Sequence, residues 1–415
     1  MMSTRRLGPP ALLLGVLAAM NSRLVIGATR LLLALAVPAL LSAQGPAAWR
    51  LVEVWRKGGE PDGPYAFESV RDVKALPGGR LIILDRRSAQ LHVYDSSGTV
   101  IRSIGRVGGG PGEFRFPFGV AVAPDGRFAV NDPQQSRISL FAADGSYERG
   151  VTLRRQPHIY FNVLWDATFD RTGRLVASVG LPPKAPNPRV PGSMSPFADS
   201  VLVTERWTSD FTRADTLQLC ASPQPVHTSP THYALVSQGG AGRPPGGWVG
   251  WNEIPFTAQR PYFARDLDGH EWGPREYGSG ELVRRESGRC ASILARIALH
   301  GGRAPIPSSM RDSALRNVRD EHRSRVPREY AWYRSLRVDD QNNLWVERDV
   351  DGGRRFDVFA PDGRALAEVT VPPTLDTDLR YQTPHVVVAH GRVYGFVKDA
   401  DDVPYLVAWR IVRQR

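Results

Sequence analysis

The sequence predicts an all-β protein made of repeated four-stranded units, and three observations lead to this prediction. Tight turns recur at equal spacing, with Gly79, Gly126 and Gly173 each followed by Arg and an apolar strand. A second hairpin follows each of these turns, so that each unit offers four strands. Gly (40) and Pro (34) are abundant, as expected of a chain rich in turns. Four-stranded units at this period are typical of the blades of a β-propeller.

Three further turns continue the series after wider gaps, and the gaps contain insertions. These turns are centred on Gly269, Asn342 and Gly391. Asn can replace Gly at such a position because Asn tolerates a positive φ. The sequence therefore predicts six units.

The two ends of the chain indicate how the ring closes. The last unit has only three strands, near 383–389, 392–398 and 405–412, whereas an extra strand, Trp49–Gly59, precedes the first unit. If this strand completes the sixth unit, no unpaired sheet edge is left at the junction. We predict a single propeller over residues 48–412, with six four-stranded blades and a ring closed by the N-terminal strand.

One segment, residues 105–145, resembles an NHL repeat. The family pattern combines a Gly-rich start, Phe-x-x-Pro-x-Gly, Asp-Gly, a strand that ends in Asp, and Arg-Ile before a Phe. The matching residues here are Phe114, Pro117, Gly119, Asp125, Gly126, Asp132, Arg137, Ile138 and Phe141. The resemblance also implies a six-bladed propeller. It implies no single function, because the family ranges from lyases and lactonases to protein- and RNA-binding modules.

The first 43 residues read as a secretory signal and not as part of a domain. A basic start with Arg23 and Arg30 precedes the apolar run Leu31–Leu41 and then small residues, which predicts cleavage after Ala43. A second apolar run lies before Met20, which is therefore an alternative start of translation. The apolar run is too short to span a bilayer. We predict a periplasmic or extracellular protein with no membrane span after cleavage.

The charge and the cysteines limit the partners and the compartment. Four Arg and no acids lie in residues 1–43, so the mature chain keeps +7 of the +11 net charge. This charge is moderate, and an exported protein meets little nucleic acid, so nucleic acid is not a predicted partner. The two cysteines, Cys220 and Cys290, suit an oxidising compartment. The local sequence leaves open whether they form a disulfide.

Three insertions interrupt the predicted ring, at residues 181–196, 221–256 and 300–328. Long insertions on a rigid scaffold often carry ligand contacts. The second insertion is rich in Gly and Pro and contains Trp248 and Trp251, which suit stacking on a sugar or a peptide.

The third insertion contains a predicted short helix. Ser309 and Asp312 resemble a capping box at its start. Met310, Ala314 and Val318 are spaced to share one apolar face of this helix.

The innermost strand of each unit should line a central channel, so its aligned positions form the candidate site. Six residues before each turn, five of the six positions are apolar and the sixth is a histidine. The two preceding columns mix acids, Arg and aromatic residues, a set that can hold a small polar ligand. The alternative is Arg–Asp pairing that neutralises the inner lining. The candidate ligand-binding residues are Arg71, Asp72, Trp165, Asp166, Arg334 and His385.

Other motifs give no sign of covalent catalysis or of a phosphate loop. The Gly-rich run 105–112 lacks Gly-Lys-Ser/Thr and precedes no helix. Asp85 and Asp132 each lie six residues after a turn, which favours a shared structural role in binding the neighbouring backbone. His227 and His232 form the nearest histidine pair, and they do not predict a metal site.

Three functions remain open at this stage. The first is an exported binding module for a small polar, carbohydrate or peptide/protein ligand, with no predicted cofactor. The alternative is a metal-dependent lyase or lactonase-type hydrolase. It would place a divalent cation in the channel between Asp72, Asp166 and His385. The third is an architectural role in an envelope assembly, which large exposed apolar patches would favour.

Overall fold

The protein is an all-β propeller built from antiparallel, blade-like sheets. The computed structural model describes residues 46–60, 65–67, 69–153, 164–181, 201–218, 220, 232–236, 249–253, 255–256, 263–276, 278–376, 386–401 and 403–413. The predicted signal, residues 1–43, lies outside these ranges. Within them, no helix is long and apolar enough to cross a membrane.

The strands follow the chain in order, unit by unit. The first strand is β1 (Ala47–Gly58), and unit 1 contains β2 (Val70–Leu76), β3 (Arg80–Asp85), β4 (Gln90–Tyr94) and β5 (Val100–Ile104). Unit 2 contains β6 (Gly119–Val122), β7 (Phe128–Asp132), β8 (Arg137–Phe141) and β9 (Tyr147–Thr152). Unit 3 contains β10 (Trp165–Phe169), β11 (Leu175–Leu181), β12 (Val201–Trp207) and β13 (Ala214–Gln218). A separate hairpin follows, β14 (His232–Val236) with β15 (Val249–Glu253).

The remaining units complete the strand order. Unit 4 contains β16 (Ala264–Arg265), β17 (Glu271–Pro274), β18 (Glu281–Glu286) and β19 (Arg289–Ala298). Unit 5 contains β20 (Ser335–Val338), β21 (Leu344–Val350), β22 (Gly353–Phe359) and β23 (Ala365–Thr370). Unit 6 contains β24 (Leu375–Asp376), β25 (Val387–Ala389), β26 (Arg392–Lys398) and β27 (Pro404–Arg413). The helices are α1 (Ser308–Asn317) and the 3₁₀ turns Pro77–Gly79, Pro133–Gln135 and Asp320–Arg325.

Sequence neighbours pair within each unit. Units 1 to 4 each form a four-stranded sheet, and units 5 and 6 share one nine-stranded sheet because β23 also bonds to β1. The innermost strands contact one another in the order β2, β6, β10, β16, β20 and β25, and β25 contacts β2. The space at the centre of the molecule is therefore bordered by these six strands.

The predicted turn positions are confirmed by the backbone. All six central residues have a positive φ, which Gly adopts freely and Asn tolerates. They are Gly79 (φ 74°), Gly126 (88°), Gly173 (75°), Gly269 (81°), Asn342 (64°) and Gly391 (69°). The residue types at the six turns thus follow from one conformational requirement.

The predicted structural role of Asp85 and Asp132 is also borne out. The Asp85 carboxylate accepts hydrogen bonds from the backbone N–H of Arg87 (2.9 Å) and Ser69 (3.3 Å). The Asp132 carboxylate accepts from the N–H of Arg115 at 2.7 Å. Both carboxylates hold the segment that precedes the first strand of their unit.

Strand β1 connects three units. It pairs antiparallel with β27 from Trp49 opposite Arg413 to Gly58 opposite Tyr405. The Trp49 ring lies 6.2 Å from the Trp345 ring of unit 5. At the other end of the strand, Trp55 donates its indole N–H to the Ser96 carbonyl of unit 1 at 3.0 Å.

The two cysteines form a disulfide, which the sequence left open. Cys220 follows β13 of unit 3 and Cys290 lies on β19 of unit 4, with 5.0 Å between their Cα atoms. The Cys220 N–H donates to the Glu271 carboxylate at 2.9 Å. The bond therefore links two neighbouring units beside a buried carboxylate.

The predicted capping box of the insertion helix is wrong. Helix α1 begins at Ser308 after Pro307, so the N-cap residue has no polar side chain, and Ser309 lies within the first turn. The predicted apolar face is also only partly buried. Val318 is buried beyond the end of the helix, whereas Met310 is exposed. Proline determined this start, because its fixed φ suits the entrance to a helix.

A buried carboxyl group lies on β12 of unit 3. Glu205 is fully buried, and neither carboxyl oxygen has a hydrogen-bond partner among the described residues. Burial raises the pKa of this group from its usual 4.5 to about 7. The folded state therefore retains the proton of Glu205 at pH values where the unfolded chain has lost it.

Replacement of Trp55 should weaken the junction of units 6 and 1. We expect Trp55→Ala to lower the free energy of unfolding by about 2 kcal/mol, because the ring and its hydrogen bond are both lost. Trp55→Phe should lower the free energy of unfolding by about 1 kcal/mol, because it loses only the hydrogen bond to Ser96. Urea denaturation measures both, with Val54→Ala on the exposed side of β1 as the control. Equal stability of Trp55→Ala and Val54→Ala would contradict this role.

Replacement of Glu205 should change how stability depends on pH. The raised pKa stabilises the fold below about pH 4.5, and this contribution is lost as the pH rises through about 7. The free energy of unfolding of Glu205→Gln, relative to that of the wild type, should therefore increase by about 2 kcal/mol from pH 5 to pH 8. Urea denaturation at both pH values tests this, with the exposed Glu148→Gln as control. A pH-independent difference between Glu205→Gln and the wild type would refute the assignment.

Candidate functional site

A cavity of about 770 Å³ lies between the innermost strands. Cavities of this size hold small molecules in many proteins, usually with apolar walls and a few polar groups. The predicted apolar column forms part of this wall: Val73, Val120, Phe263 and Leu336 line it and are buried. The innermost strands, on which the sequence placed the candidate site, therefore border a cavity.

Two of the predicted ligand-binding residues, Asp72 and Asp166, line the cavity. Asp72 is buried, and its two carboxylate oxygens already have partners. One oxygen accepts from the Val120 N–H of unit 2 at 2.8 Å. The other accepts from the Val73 N–H at 2.9 Å and lies 3.3 Å from the Lys74 ammonium. Asp72 thus ties units 1 and 2 together at the cavity wall.

Arg71 also connects units 1 and 2. Its guanidinium lies over the Phe118 ring, 3.7 Å from the centroid, and donates to the Phe118 carbonyl at 3.1 Å. Burial lowers the pKa of Arg71 to about 10, and the charge of Asp72 opposes this shift. Arg71 is not among the residues that line the cavity.

Asp166 lies at an irregular point of β10. Its φ is 52°, and the pairing of β10 with β11 shifts register between Trp165 and Thr168. Bulges of this kind often lie beside binding sites, where they redirect a side chain. The Asp166 carbonyl accepts from the Arg265 guanidinium at 3.4 Å.

Arg334 lies outside the cavity lining and belongs to an ion-pair cluster of unit 5. Its guanidinium bonds to Asp349 at 3.1 Å and lies 3.9 Å from Glu347. Burial raises the pKa of Asp349, and the charge of Arg334 counteracts this shift. For Arg334, the structure thus has the Arg–acid pairing that the sequence left as the alternative to ligand binding.

The other predicted residues cannot be placed relative to the cavity. Trp165 and Trp251 lie in β10 and β15, and only their backbone is described. His385 and Trp248 lie outside the described residues, as do most of the insertions 181–196 and 221–256.

Five basic side chains that sequence reasoning missed also line the cavity: Lys74, Arg171, Arg265, Arg337 and His390. Thr168, Asp339 and Asp340 line it as well. Lys74 and His390 are partly exposed, so they are accessible from solvent. The alignment of the innermost strands could have identified Lys74, Arg265 and Arg337, because all three lie four or five residues before a turn.

Arg265 belongs to a buried polar network between units 3 and 4. It donates to the Thr204 hydroxyl at 3.0 Å and lies 3.7 Å from the Glu271 carboxylate. Thr204 in turn donates to Glu271 at 3.0 Å. Glu271 also accepts from the Cys220 N–H, so the network is continuous with the disulfide.

His390 joins three units at the end of the cavity where the turns lie. One ring nitrogen is 3.0 Å from the Leu76 carbonyl of unit 1. The other is 3.2 Å from the Asp340 carboxylate of unit 5, which also accepts from the His390 N–H at 2.9 Å. Both nitrogens are engaged, which indicates a structural role for this histidine.

The described residues do not favour the predicted metal site. No group of three or more His, Cys, Asp and Glu within these ranges is arranged to hold a metal ion. Asp72 fits a divalent cation poorly, because its oxygens bind backbone N–H groups and a lysine ammonium. His385, the third residue of the predicted set, lies outside the described residues.

Two insertions meet through aromatic and aliphatic contacts. Phe256, at the end of the second insertion, lies 5.7 Å from the Tyr330 ring in an edge-to-face arrangement. It also packs with Leu315, Val318 and Val326 of the third insertion. Phe256 precedes β16 in the chain and the third insertion precedes β20, so these contacts lie before the start of two innermost strands.

Comparisons with known proteins agree with the propeller fold. A family model described as a 6-bladed beta-propeller matches residues 65–160. This model is not described as the NHL repeat, so the resemblance to NHL stays a prediction. No protein with a curated description matches the chain.

Several solved structures are similar over nearly the whole chain. A member of the DUF4221 family from Bacteroides vulgatus has 10% identity and a TM-score of 0.50, covering 89% of this chain and 100% of that one. A gluconolactonase from Xanthomonas campestris has 12% identity and a TM-score of 0.40, covering 88% and 99%. Virginiamycin B lyase from Staphylococcus aureus has 8% identity and a TM-score of 0.37, covering 88% and 100%. At this identity, the DUF4221 structure with its TM-score of 0.50 supports the fold alone.

Replacement of Asp72 tests its role between units 1 and 2. We expect Asp72→Asn to lower the free energy of unfolding by about 2 kcal/mol, because the amide keeps one acceptor oxygen instead of two and loses the attraction to Lys74. Asp125→Asn removes an exposed turn carboxylate and should cost less than about 1 kcal/mol. Urea denaturation at pH 7 compares the two. A smaller effect at Asp72 than at Asp125 would show that the contacts to Val120 and Lys74 do not stabilise the ring.

Proposed function

We propose that this protein is an exported β-propeller binding module that takes a small polar ligand into its central channel. The observation that carries the proposal is the cavity of about 770 Å³, with an apolar wall and a few charged side chains. Sites for small molecules combine apolar contact area with a few polar groups that orient the ligand. Lys74, Asp166 and Arg171 supply such groups on three different strands or turns.

The channel replaces the insertion face as the first choice of site. The sequence placed sugar or peptide contacts at Trp248 and Trp251, and these stay a proposal. The contact of Phe256 with the third insertion supports a role for the insertions beside the channel. A carbohydrate or peptide that extends out of the cavity would reach them there.

We also propose that the propeller has six blades and is closed by β1. The pairing of β1 with β27 supports this, as does the cyclic contact of the six innermost strands. A closed ring leaves no open sheet edge at the junction of the first and last units. Such a ring holds the cavity wall in place without a second domain.

Export to the periplasm or the extracellular space is part of the proposal. The apolar run before Ala43 has the pattern of a cleavable signal. The disulfide between Cys220 and Cys290 supports an oxidising compartment.

The metal-dependent lyase or lactonase is the alternative, and the contacts of Asp72 make it the weaker one. An architectural role is not favoured by the described surface. There, the exposed large apolar side chains are spread over β1, β5, β19, α1 and the loop between β5 and β6.

Blocking the channel tests the proposal. Ala75 lines the cavity, and Ala75→Phe should fill part of it and weaken ligand binding at least about tenfold. The probes are monosaccharides, disaccharides and dipeptides, which are screened by thermal shift and measured by calorimetry. Ala365→Phe, on the exposed face of β23, is the matched control and should bind as the wild type does.

Two results would overturn the proposal. Equal affinity in Ala75→Phe and the wild type would place the ligand outside the channel. A stoichiometric divalent ion in the purified protein, with a lower melting temperature after chelation, would favour the enzyme.

A further inference from the structure

One residue with a strained backbone lies in the wall of the cavity. Asp166 has a φ of 52°, in the left-handed region that residues other than Gly seldom adopt. In the pairing of β10 with β11, Asp166 and Ala167 together oppose the single residue Ala177. The left-handed residue of such a bulge is normally Gly, because Gly has no Cβ. Asp166 therefore keeps a side chain at a position where a side chain costs free energy.

The propeller fold does not require this conformation. The corresponding residues of three other units, seven residues before their turns, are Asp72, Gly119 and Ser335, and none of these three has a positive φ. Strained residues persist where the surrounding structure holds them, and they are frequent at binding sites. Here the Arg265 guanidinium of unit 4 donates to the Asp166 carbonyl at 3.4 Å. The strain thus belongs to this place in the cavity wall and is not a general property of the innermost strands.

Asp166 also differs from the other acidic residues of the lining. Asp72 and Asp339 are buried, and N–H groups of the protein donate to their carboxylates. Asp340 accepts from the His390 N–H and lies 3.2 Å from the ring of the same histidine. Asp166 is partly exposed, and its bond to unit 4 uses the backbone carbonyl. A ligand in the cavity can therefore reach Asp166.

The basic side chains of the lining lie beside carboxylates of the protein. The pairs are Lys74 with Asp72 (3.3 Å), Arg171 with Asp268 (2.9 Å), Arg265 with Glu271 (3.7 Å), Arg337 with Glu347 (3.1 Å) and His390 with Asp340 (3.2 Å). An anionic ligand would have to compete with these carboxylates for the same cations. The wall therefore favours a ligand that brings hydrogen-bond donors over one that brings a negative charge.

We propose that the Asp166 carboxylate binds hydroxyl or ammonium groups of a small ligand in the channel, and that this ligand is not an anion. The inference rests on the proposed function and names the chemical class of its ligand. An ionised carboxylate is purely an acceptor and can hold donors on both of its oxygens. Hydrogen bonds to a charged acceptor are stronger than those between neutral groups, so one carboxylate orients a ligand whose apolar part packs against the wall.

The test uses the strain itself. Asp166→Gly removes the carboxylate and the steric cost of the side chain together. The variant should bind the ligand at least about tenfold more weakly, and it should melt at the same temperature as the wild type or higher. Asp166→Asn is the second variant, because Asn tolerates the left-handed conformation and keeps one neutral acceptor oxygen.

Ser136→Gly is the matched control for the relief of strain. Ser136 has a φ of 50°, and it lies between β7 and β8, outside the cavity lining. Its replacement by Gly should likewise not lower the melting temperature. This variant should bind every probe as the wild type does.

The probes are glucose and myo-inositol for hydroxyl groups, hexylamine for an ammonium group and hexanoate for an anion. Calorimetry at pH 7 and constant ionic strength measures binding, and thermal shift measures stability. We expect a hydroxyl or ammonium probe to bind the wild type and Ser136→Gly, and to bind Asp166→Gly at least tenfold more weakly. A hydroxyl ligand should keep part of its affinity in Asp166→Asn, whereas an ammonium ligand should lose as much there as in Asp166→Gly.

Several results would refute the inference. These are equal affinity of Asp166→Gly and the wild type, a melting temperature of Asp166→Gly several degrees below that of the wild type, preferential binding of hexanoate, and no binding of any hydroxyl or ammonium probe. A probe that Ala75→Phe blocks and Asp166→Gly does not affect would refute this inference and still support the proposed function. A probe that neither substitution affects would count against both.

Discussion

The structure depends on how the innermost strands satisfy their backbone on the side that faces the channel. Within the described residues, each of these strands is hydrogen-bonded to one neighbouring strand, so the backbone groups on its other edge need other partners. Buried N–H groups need an acceptor, so polar side chains of adjoining units supply one. Asp72 accepts from Val120, and Asn131 accepts from Leu164. These side-chain contacts hold units 1 to 3 together around the cavity.

At the other end of the channel, backbone N–H groups also need side-chain acceptors from a neighbouring unit. Asn342 accepts from the Leu267 N–H at 2.9 Å, and Asp340 accepts from the His390 N–H at 2.9 Å. Each bond joins a turn to the turn of a neighbouring unit. These side chains run from one unit to the next around the ring. They therefore fix the width of the ring without filling its central space. These contacts also limit the chemistry of the site, because a residue such as Asp72 already has both carboxylate oxygens bound to other groups of the protein.

The sequence repeat was sufficient to predict the features that depend on local conformation, such as the turns. The six turns need a positive φ, and the Gly and Asn residues that provide it are visible in the sequence. Asp85 and Asp132 could be interpreted correctly because they occupy the same offset in two units. The pairing of Cys220 with Cys290 could not be predicted, since it depends on the position of unit 3 beside unit 4.

The candidate site was predicted only in part, for a geometrical reason. Asp72 lines the cavity whereas Arg71 does not, and both residues have contacts that run to unit 2. The pairing of β2 with β3 shifts register between Val70 and Asp72, which a count from the turn does not reveal. Arg265 and Arg337 lie four and five residues before their turns. The candidate positions in the sequence analysis lie six, seven and eight residues before the turns, so they do not include these two arginines. Their place in the cavity wall also depends on how neighbouring units pack together, and only the structure shows this.

The disulfide is connected to the cavity wall through one buried polar network. The Cys220 N–H binds Glu271, Glu271 and Thr204 hold Arg265, and Arg265 lies in the cavity wall. Without the bond to Cys290, the segment of Cys220 would lose its anchor to unit 4, and Glu271 would lose a donor that helps to orient it. A buried arginine keeps its position only while its carboxylate partner is itself held. The oxidising compartment that the signal sequence predicts is thus also the condition under which the cavity wall keeps the geometry described here.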